Sequence, residues 1–243
     1  MKLLALLALL CALPCHAERL LFILAGQSNA AGIGEEPPPV YRNATRVFVY
    51  RNSGDWTPGF EPVDEPNNQV DVVSRDERYG VGIGMAFAER YLDLHPDVEE
   101  VGLIPCAKGG STIARWQAHW SRESLYGSCL ARALEASAEG RLAGMLWWQG
   151  EDESATTALT WGREFSRFVR EFRSDVGVPD LAVVYARIRG ATSTTAVVRA
   201  QQESLSGRAA YRVSTDGITY PDGWHPDTNG YQVVGRRMAE VMP

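Results

Sequence analysis

Histidine and cysteine are scarce in this chain, four of each in 243 residues, and its apolar start removes several of them from consideration. Residues 1–17 have the form of a signal peptide: Lys2, an apolar run from Leu3 to Leu13, then Cys15-His16-Ala17 resembling a small-residue cleavage site. Cleavage would leave Cys106 and Cys129 as the mature cysteines, and His95, His119 and His225 as the mature histidines. Two cysteines cannot staple a miniprotein; they allow one disulfide in an oxidising compartment, or two free thiols. Three histidines without HExxH or paired spacing do not recommend a zinc site, so neither a metal nor another cofactor is expected.

Excess positive charge is missing too. With 24 basic and 30 acidic residues the formal charge is -6, and no basic run with interleaved aromatics offsets it, which argues against nucleic acid as a partner. Long apolar runs are also lacking. The leader is too short to span a bilayer, and no later window approaches the roughly 18 uninterrupted apolar residues that a span requires. Cys11 and Cys15 fit a lipoprotein signal poorly. The expectation is a soluble chain, secreted or periplasmic, with no stable membrane insertion. Its oligomeric state is open, and no repeat or low-complexity tract is apparent.

What is present describes a folded domain. Hydrophobic residues make up 45% and charged residues 22%, so the chain can bury a core, and the region 18–243 has the length of one catalytic domain. The apolar run 19–25 reads as a buried strand ending at Gly26, and a second short strand is predicted over 46–50. Residues 52–76, where glycine, proline and aspartate interrupt every apolar group, read as a long surface excursion of the kind that often faces substrate. Ile83, Phe87 and Tyr91 at four-residue spacing predict a helix over 82–94, stopped by Pro96. Strands over 101–105, 142–148 and 181–185 then alternate with helices over 124–139, 159–172 and 228–241, the last turning Val233, Val234 and Met238 inward. That alternation predicts an α/β fold, a three-layer α/β/α sandwich around a mainly parallel sheet.

Such a sheet carries its chemistry in the loops at the carboxyl ends of its strands. The most polar, glycine-rich text lies there: Gly26-Gln27-Ser28-Asn29, Lys108-Gly109-Gly110-Ser111, Gln149-Gly150-Glu151-Asp152-Glu153, and Asp222-Gly223-Trp224-His225-Pro226 before the last helix. A serine hydroxyl is a weak nucleophile until a base takes its proton, and histidine suits that task near neutral pH. Ser28 is therefore the candidate nucleophile, His225 the acid and base, and Asp222 the group that orients the imidazole. The amides of Ser28 and Gly110, with the side-chain amide of Gln149, could donate to a developing oxyanion. Each segment also has a plainer reading. Ser28 could cap a helix, Asp222 could close a surface turn, Gln149 could satisfy a buried group, and Glu151 with Asp152 could be a solvated pair.

The four blocks in this order resemble the SGNH-hydrolase superfamily, in particular its sialate O-acetylesterase and plant carbohydrate-esterase branch (carbohydrate esterase family 6-like). The resemblance rests on Phe22 to Asn29, on Ile104 to Ser111 followed by Trp116, on Trp148-Gln149-Gly150-Glu151 and on Asp222 to Pro226. It implies a flavodoxin-like SGNH fold and an acetylesterase that hydrolyses acetyl groups on saccharides. It also implies a Ser28, Asp222 and His225 triad, with Ser28 and Gly110 as oxyanion donors and Gln149 near the position of an asparagine in other branches. Substrate contacts would come from Trp116, Glu151 and Trp224, although packing under the loop is the alternative for Trp116. Ala30 replaces the branch's usual methionine, and Trp148 with Asp152-Glu153 replaces the usual His and Ser-Asp around Gln-Gly-Glu, which leaves the sugar open. The partner implied is an acetylated oligosaccharide or polysaccharide. A sialate O-acetylesterase, a lipase-like carboxylesterase and a secreted carbohydrate-binding protein are the alternatives.

Overall fold

The apolar run 19–25 becomes β1 (Arg19–Gly26), the central strand of a seven-stranded sheet. The computed structural model describes residues 18–35, 37–65, 71–76, 78–207 and 210–243, so the expected signal peptide at 1–17 lies outside the described residues. In chain order follow α1 (Ser28–Ala31), β2 (Val47–Tyr50), β3 (Trp56–Pro58), α2 (Gly84–Leu94), β4 (Glu100–Pro105) and α3 (Leu125–Ala136). The second half contributes β5 (Arg141–Trp148), α4 (Ala155–Ala158), α5 (Trp161–Asp175), β6 (Ala182–Arg187), α6 (Ser193–Ser204), β7 (Ala210–Ser214) and α7 (Thr228–Val241). The strand order is β3-β2-β4-β1-β5-β6-β7, parallel throughout except for the edge pair β2 and β3. This is the α/β sheet with helices expected from the alternating pattern, and its inner strands are apolar on both faces because helices cover both.

Two aromatic clusters mark the two faces. Phe22 of β1 meets Phe87 and Tyr91 of α2 edge-on, with centroids 4.9 and 4.8 Å apart, and α7 packs beside α2 on that face. On the other face Trp147 of β5 meets Phe165 and Phe168 of α5. α5 is amphipathic: Trp161, Phe165, Phe168, Val169 and Phe172 fall on one side and are buried, while the arginines between them face out. Each fully buried aromatic of this kind is worth roughly 1.5–3 kcal/mol in area alone. Ser124, Thr192 and Asp227 cap α3, α6 and α7 by accepting backbone amides of their first turns.

Several elements depart from the sequence reading. The excursion 52–76 carries β3 and a single turn at Val72–Ser74, and it is fastened down. The buried Arg132 of α3 donates to Pro105 O, Tyr50 O and Asn52 Oδ1, and Asp71 accepts from Nε and Nη2 of Arg122 and from the Ser128 hydroxyl. On α7, Tyr231, Val234 and Met238 are buried, but Val233 is half-exposed in a charged cleft between α2 and α7. Cys106 and Cys129 are both buried as free thiols.

Trp116 corrects an expectation of sugar contact. It is 0% exposed, its indole N–H donates to Ser111 Oγ at 3.0 Å, and its ring meets Trp147 and Phe168 edge-on, so it has no face left for a ligand. Trp116→Ala is therefore expected to lower stability by about 3–5 kcal/mol in urea unfolding. A variant of unchanged stability that only raised KM for a saccharide ester would return this residue to the substrate site.

Candidate active site

The sheet order places a topological switch at β1: the chain leaves β1 for β2 on one side of it, whereas after β4 it crosses to β5 on the other. Ligands in open parallel sheets bind at such a crevice. From Phe22 onward β1 stays in register with β5 to its last residue, Gly26 opposite Trp148, because Gly26 has no side chain: a Cβ there would lie 2.2 Å from Trp148 O. With φ at +128° the chain turns out of the strand, and Ser28 becomes the first residue of α1.

Ser28, His225 and Asp222 come together. Ser28 Oγ lies 3.0 Å from His225 Nε2, and His225 Nδ1 lies 2.7 Å from Asp222 Oδ2. With Nδ1–H donating to the carboxylate, Nε2 is left as the acceptor for the serine proton. Asp222 Oδ1 accepts the backbone amides of Trp224 and His225 at 2.8 and 2.7 Å, so one carboxylate both closes the turn and orients the ring. Partial burial pushes the Asp222 carboxyl up, but hydrogen bonds from the His225 ring and the two amides outweigh it and hold the group at about 2. Asp222 thus stays ionised at any working pH.

In the loop after β4, Gly110 adopts φ +64°, a conformation that favours glycine. Among the described residues neither the Ser28 amide nor the Gly110 amide has a partner. The Gly110 loop is held from outside: Asp76 accepts the Gly109 amide at 2.5 Å and the Lys108 ammonium at 3.0 Å. Nothing in the sequence marked Asp76, which lies in the interrupted excursion 32 residues before Lys108.

Gln149 is brought near this loop but not into the cleft. It is 0% exposed; its amide group donates to Ser111 O at 3.0 Å and Glu153 Oε1 at 2.6 Å, and its oxygen accepts from the Trp161 indole at 2.6 Å. All its strong bonding capacity ties the loops after β4 and β5 to α5, so it is a structural amide and leaves the set of candidate oxyanion donors. Glu153 extends this link by accepting the Ile113 amide at 2.6 Å.

A cleft of about 210 Å³ opens beside the triad, lined by Gln27, Ser28, Asn29, Glu151, Asp152, Trp224 and His225. Trp224 is 44% exposed and gives the cleft its indole wall. Glu151 lines the cleft too, but its Oε1 is turned inward, accepting from Asn29 Nδ2 and Trp148 Nε1 at 2.8 Å each. Burial pushes its carboxyl up to about 7, against the pull of those hydrogen bonds. The sequence pattern assigns Gln27 and Asn29 no role of their own. Gln27 accepts the Gly150 amide and donates to Asp152, while Asn29 donates to Glu151 and to Trp224 O at 3.2 Å and accepts from the Tyr231 hydroxyl at 3.1 Å. The signal for them was the polar quartet itself, in which every side chain after Gly26 makes a bond across the site.

Known proteins share this architecture. A solved structure of an Arabidopsis thaliana protein aligns with TM-score 0.82 at 26% identity, covering 93% of this chain and 98% of that one. NanS aligns with TM-score 0.70 at 17% identity, covering 93% and 97%, which shows the same fold. A carbohydrate acetylesterase from Xanthomonas citri aligns with TM-score 0.62 at 20% identity over 91% of this chain and 54% of its own. Among curated proteins, a probable carbohydrate esterase of Arabidopsis thaliana is 28% identical over 91% of this chain and 89% of its own. The family model described as carbohydrate esterase, sialic acid-specific acetylesterase matches residues 18–243, and the chain belongs to that family of acetyl-ester hydrolases.

Proposed function

We propose that the protein is a carbohydrate O-acetylesterase working through an acyl-enzyme on Ser28. The observation that carries this reading is the continuous hydrogen-bonded line from Ser28 Oγ through His225 to Asp222, at 3.0 and 2.7 Å, opening on a polar cleft. In the first half-reaction Ser28 Oγ attacks the acetyl carbonyl while Nε2 of His225 takes its proton. The imidazolium then gives that proton to the departing sugar oxygen, and the C–O bond breaks. In the second half a water loses a proton to Nε2 and attacks the acetyl-serine; collapse releases acetate and restores the Ser28 hydroxyl. The unpaired amides of Ser28 and Gly110 are the donors assigned to the oxyanion of both tetrahedral states, and Asp222 stabilises the imidazolium.

The substrate in this reading is an acetylated saccharide whose sugar lies against Trp224. The cleft sets polar side chains beside the exposed Trp224 indole, a combination that suits a sugar. Export of the chain after cleavage near residue 17 belongs to the same proposal, since it would bring the enzyme to polymeric substrate outside the cell.

Purified mature protein is expected to release acetate from acetylated saccharides, and Ser28→Ala to abolish this with unchanged circular dichroism and unfolding. Equal acetate release by the alanine variant would sink the mechanism. A mass-spectrometric screen of acetylated xylan, pectin, sialosides and simple acyl esters assigns the sugar.

Asp76→Asn removes the charge that holds Lys108 and weakens the anchor of Gly109. Loss of a whole oxyanion donor costs about 100- to 1000-fold in kcat, so a misaligned one should cost about tenfold, with KM within twofold. Unchanged kcat would separate Gly110 from the oxyanion.

A further inference from the structure

His225 is carried by a surface turn, and one side chain ties that turn to the nucleophile. Asn29 follows Ser28 directly, and its Nδ2 donates both to Trp224 O, one residue before His225, and to Glu151 Oε1. Its Oδ1 accepts from Tyr231 on α7. The amide cannot turn over, because a flipped group would face its NH2 to the Tyr231 hydroxyl and its oxygen to a carboxyl and a carbonyl. Glu151 is in turn fixed by the Trp148 indole at the end of β5.

From this geometry we propose that Glu151 is a positioning residue for His225, acting through Asn29, and that only its ionised form holds the base against Ser28. The proposal rests on the esterase reading of Ser28 and His225. A carboxylate binds the two N–H donors in charge-assisted bonds, roughly twice as strong as those to a neutral acid. Protonation of Glu151 loosens Asn29 and with it the tether on the His225 turn.

The site makes that protonation accessible. Glu151 Oε2 is shut off from solvent and has no partner among the described residues, and no described cation forms a salt bridge with Glu151. The titratable and charged groups around it are Asp152 on its own loop, Tyr231 from α7, and Tyr220 from the loop after β7 with its neighbours Arg189 and Asp216; Asp222 and His225 lie across the cleft. Burial first, and the Asp152 charge last, push the group up to about 7, so it gains its proton as pH falls through the neutral range.

The test is the pH dependence of kcat/KM with p-nitrophenyl acetate, between pH 4.5 and 9, for the wild type and Glu151→Gln. A catalytic imidazole alone gives an acid limb falling tenfold per pH unit; protonation of Glu151 to a form about a tenth as active adds a further fall of about tenfold in total, which steepens the limb where Glu151 gains its proton. The wild type is expected to show the steeper limb and Glu151→Gln the shallower one. At pH 8 the variant should lose about tenfold in kcat with KM within twofold, and the two enzymes should converge below pH 6. A loss equal at every pH, a wild-type limb of tenfold per unit, or a raised KM with kcat intact would each overturn the proposal, the last by making Glu151 a substrate contact. Should Glu151→Gln not fold, Asn29→Ala severs the same tether and must give the same shallower limb. Labelling of Ser28 by a fluorophosphonate across the same pH range reads the activation of the nucleophile without any saccharide. A wrong sugar assignment therefore leaves this test standing, whereas a wild type that is never labelled ends both readings.

Discussion

The close passage of Gly26 past Trp148 is the constraint on which the site depends. Because no Cβ intrudes at 2.2 Å, β1 and β5 remain paired to their ends, and the Gln27 amide can bond Trp148 O at 2.9 Å. Every later cross-link between the first and third loops uses that proximity: Gln27 to Gly150 and Asp152, and Asn29 to Glu151. A side chain at this position would wedge the strand ends apart, and the losses would fall together on bonds whose geometry was set by one backbone contact.

Beneath the site the polar side chains are committed to one another. Gln149 joins Ser111, Glu153 and Trp161, and Ser111 also bonds Gly26 O and receives the Trp116 indole. Turning Gln149 outward to meet an oxyanion would strand Ser111 O and the Trp161 indole, each at about 1–3 kcal/mol, and take one of two donors from Glu153, in exchange for one new bond. That imbalance keeps the amide inside. It leaves two backbone amides, which need no side chain to be pulled from the core, as the groups fit to receive the oxyanion.

Where the sequence was legible, a strong periodic or apolar pattern agreed with tertiary packing. The run 19–25, the four-residue spacing of Ile83, Phe87 and Tyr91, and the alternation after β4 all correspond to elements of the sheet and its covering helices. α6 was missed because Ser193 to Ser204 is rich in β-branched and polar residues with few apolar ones, and its start is marked mainly by the Thr192 and Thr195 capping box. β3 and β7 were missed because they are short edge strands with little to bury. In the site, residues whose chemistry is local to one block could be read, as with Asp222 and His225 three apart. Roles set by distant partners could not: Trp116 and Gln149 have the residue types of a sugar platform and an oxyanion donor, and only the arrangement of α5 shows that both are consumed in packing. Asp76 is the converse, a functional anchor in text that carries no pattern at all.

Asp222, bonded to the His225 ring, and Glu151, bonded to Asn29, show how placement decides what an acid can do. Asp222 receives three hydrogen bonds spread over both oxygens and remains partly open to water, so its charge is cheap to keep and is fixed at about 2. Glu151 receives its two side-chain bonds on one oxygen, and the other is buried with none, so its charge is expensive and the group moves up to about 7. Exchanging their roles would fail on both counts. A carboxyl that titrates near neutrality would stop orienting the imidazole just where the imidazole is needed, and one held at about 2 would give the interior no response to pH. The formal charge of -6 bears on neither group, because each is governed by donors within hydrogen-bonding distance rather than by the field of the whole chain. In the proposed mechanism, then, the stable orienter belongs on the exposed turn beside His225, and the responsive acid belongs behind Ser28.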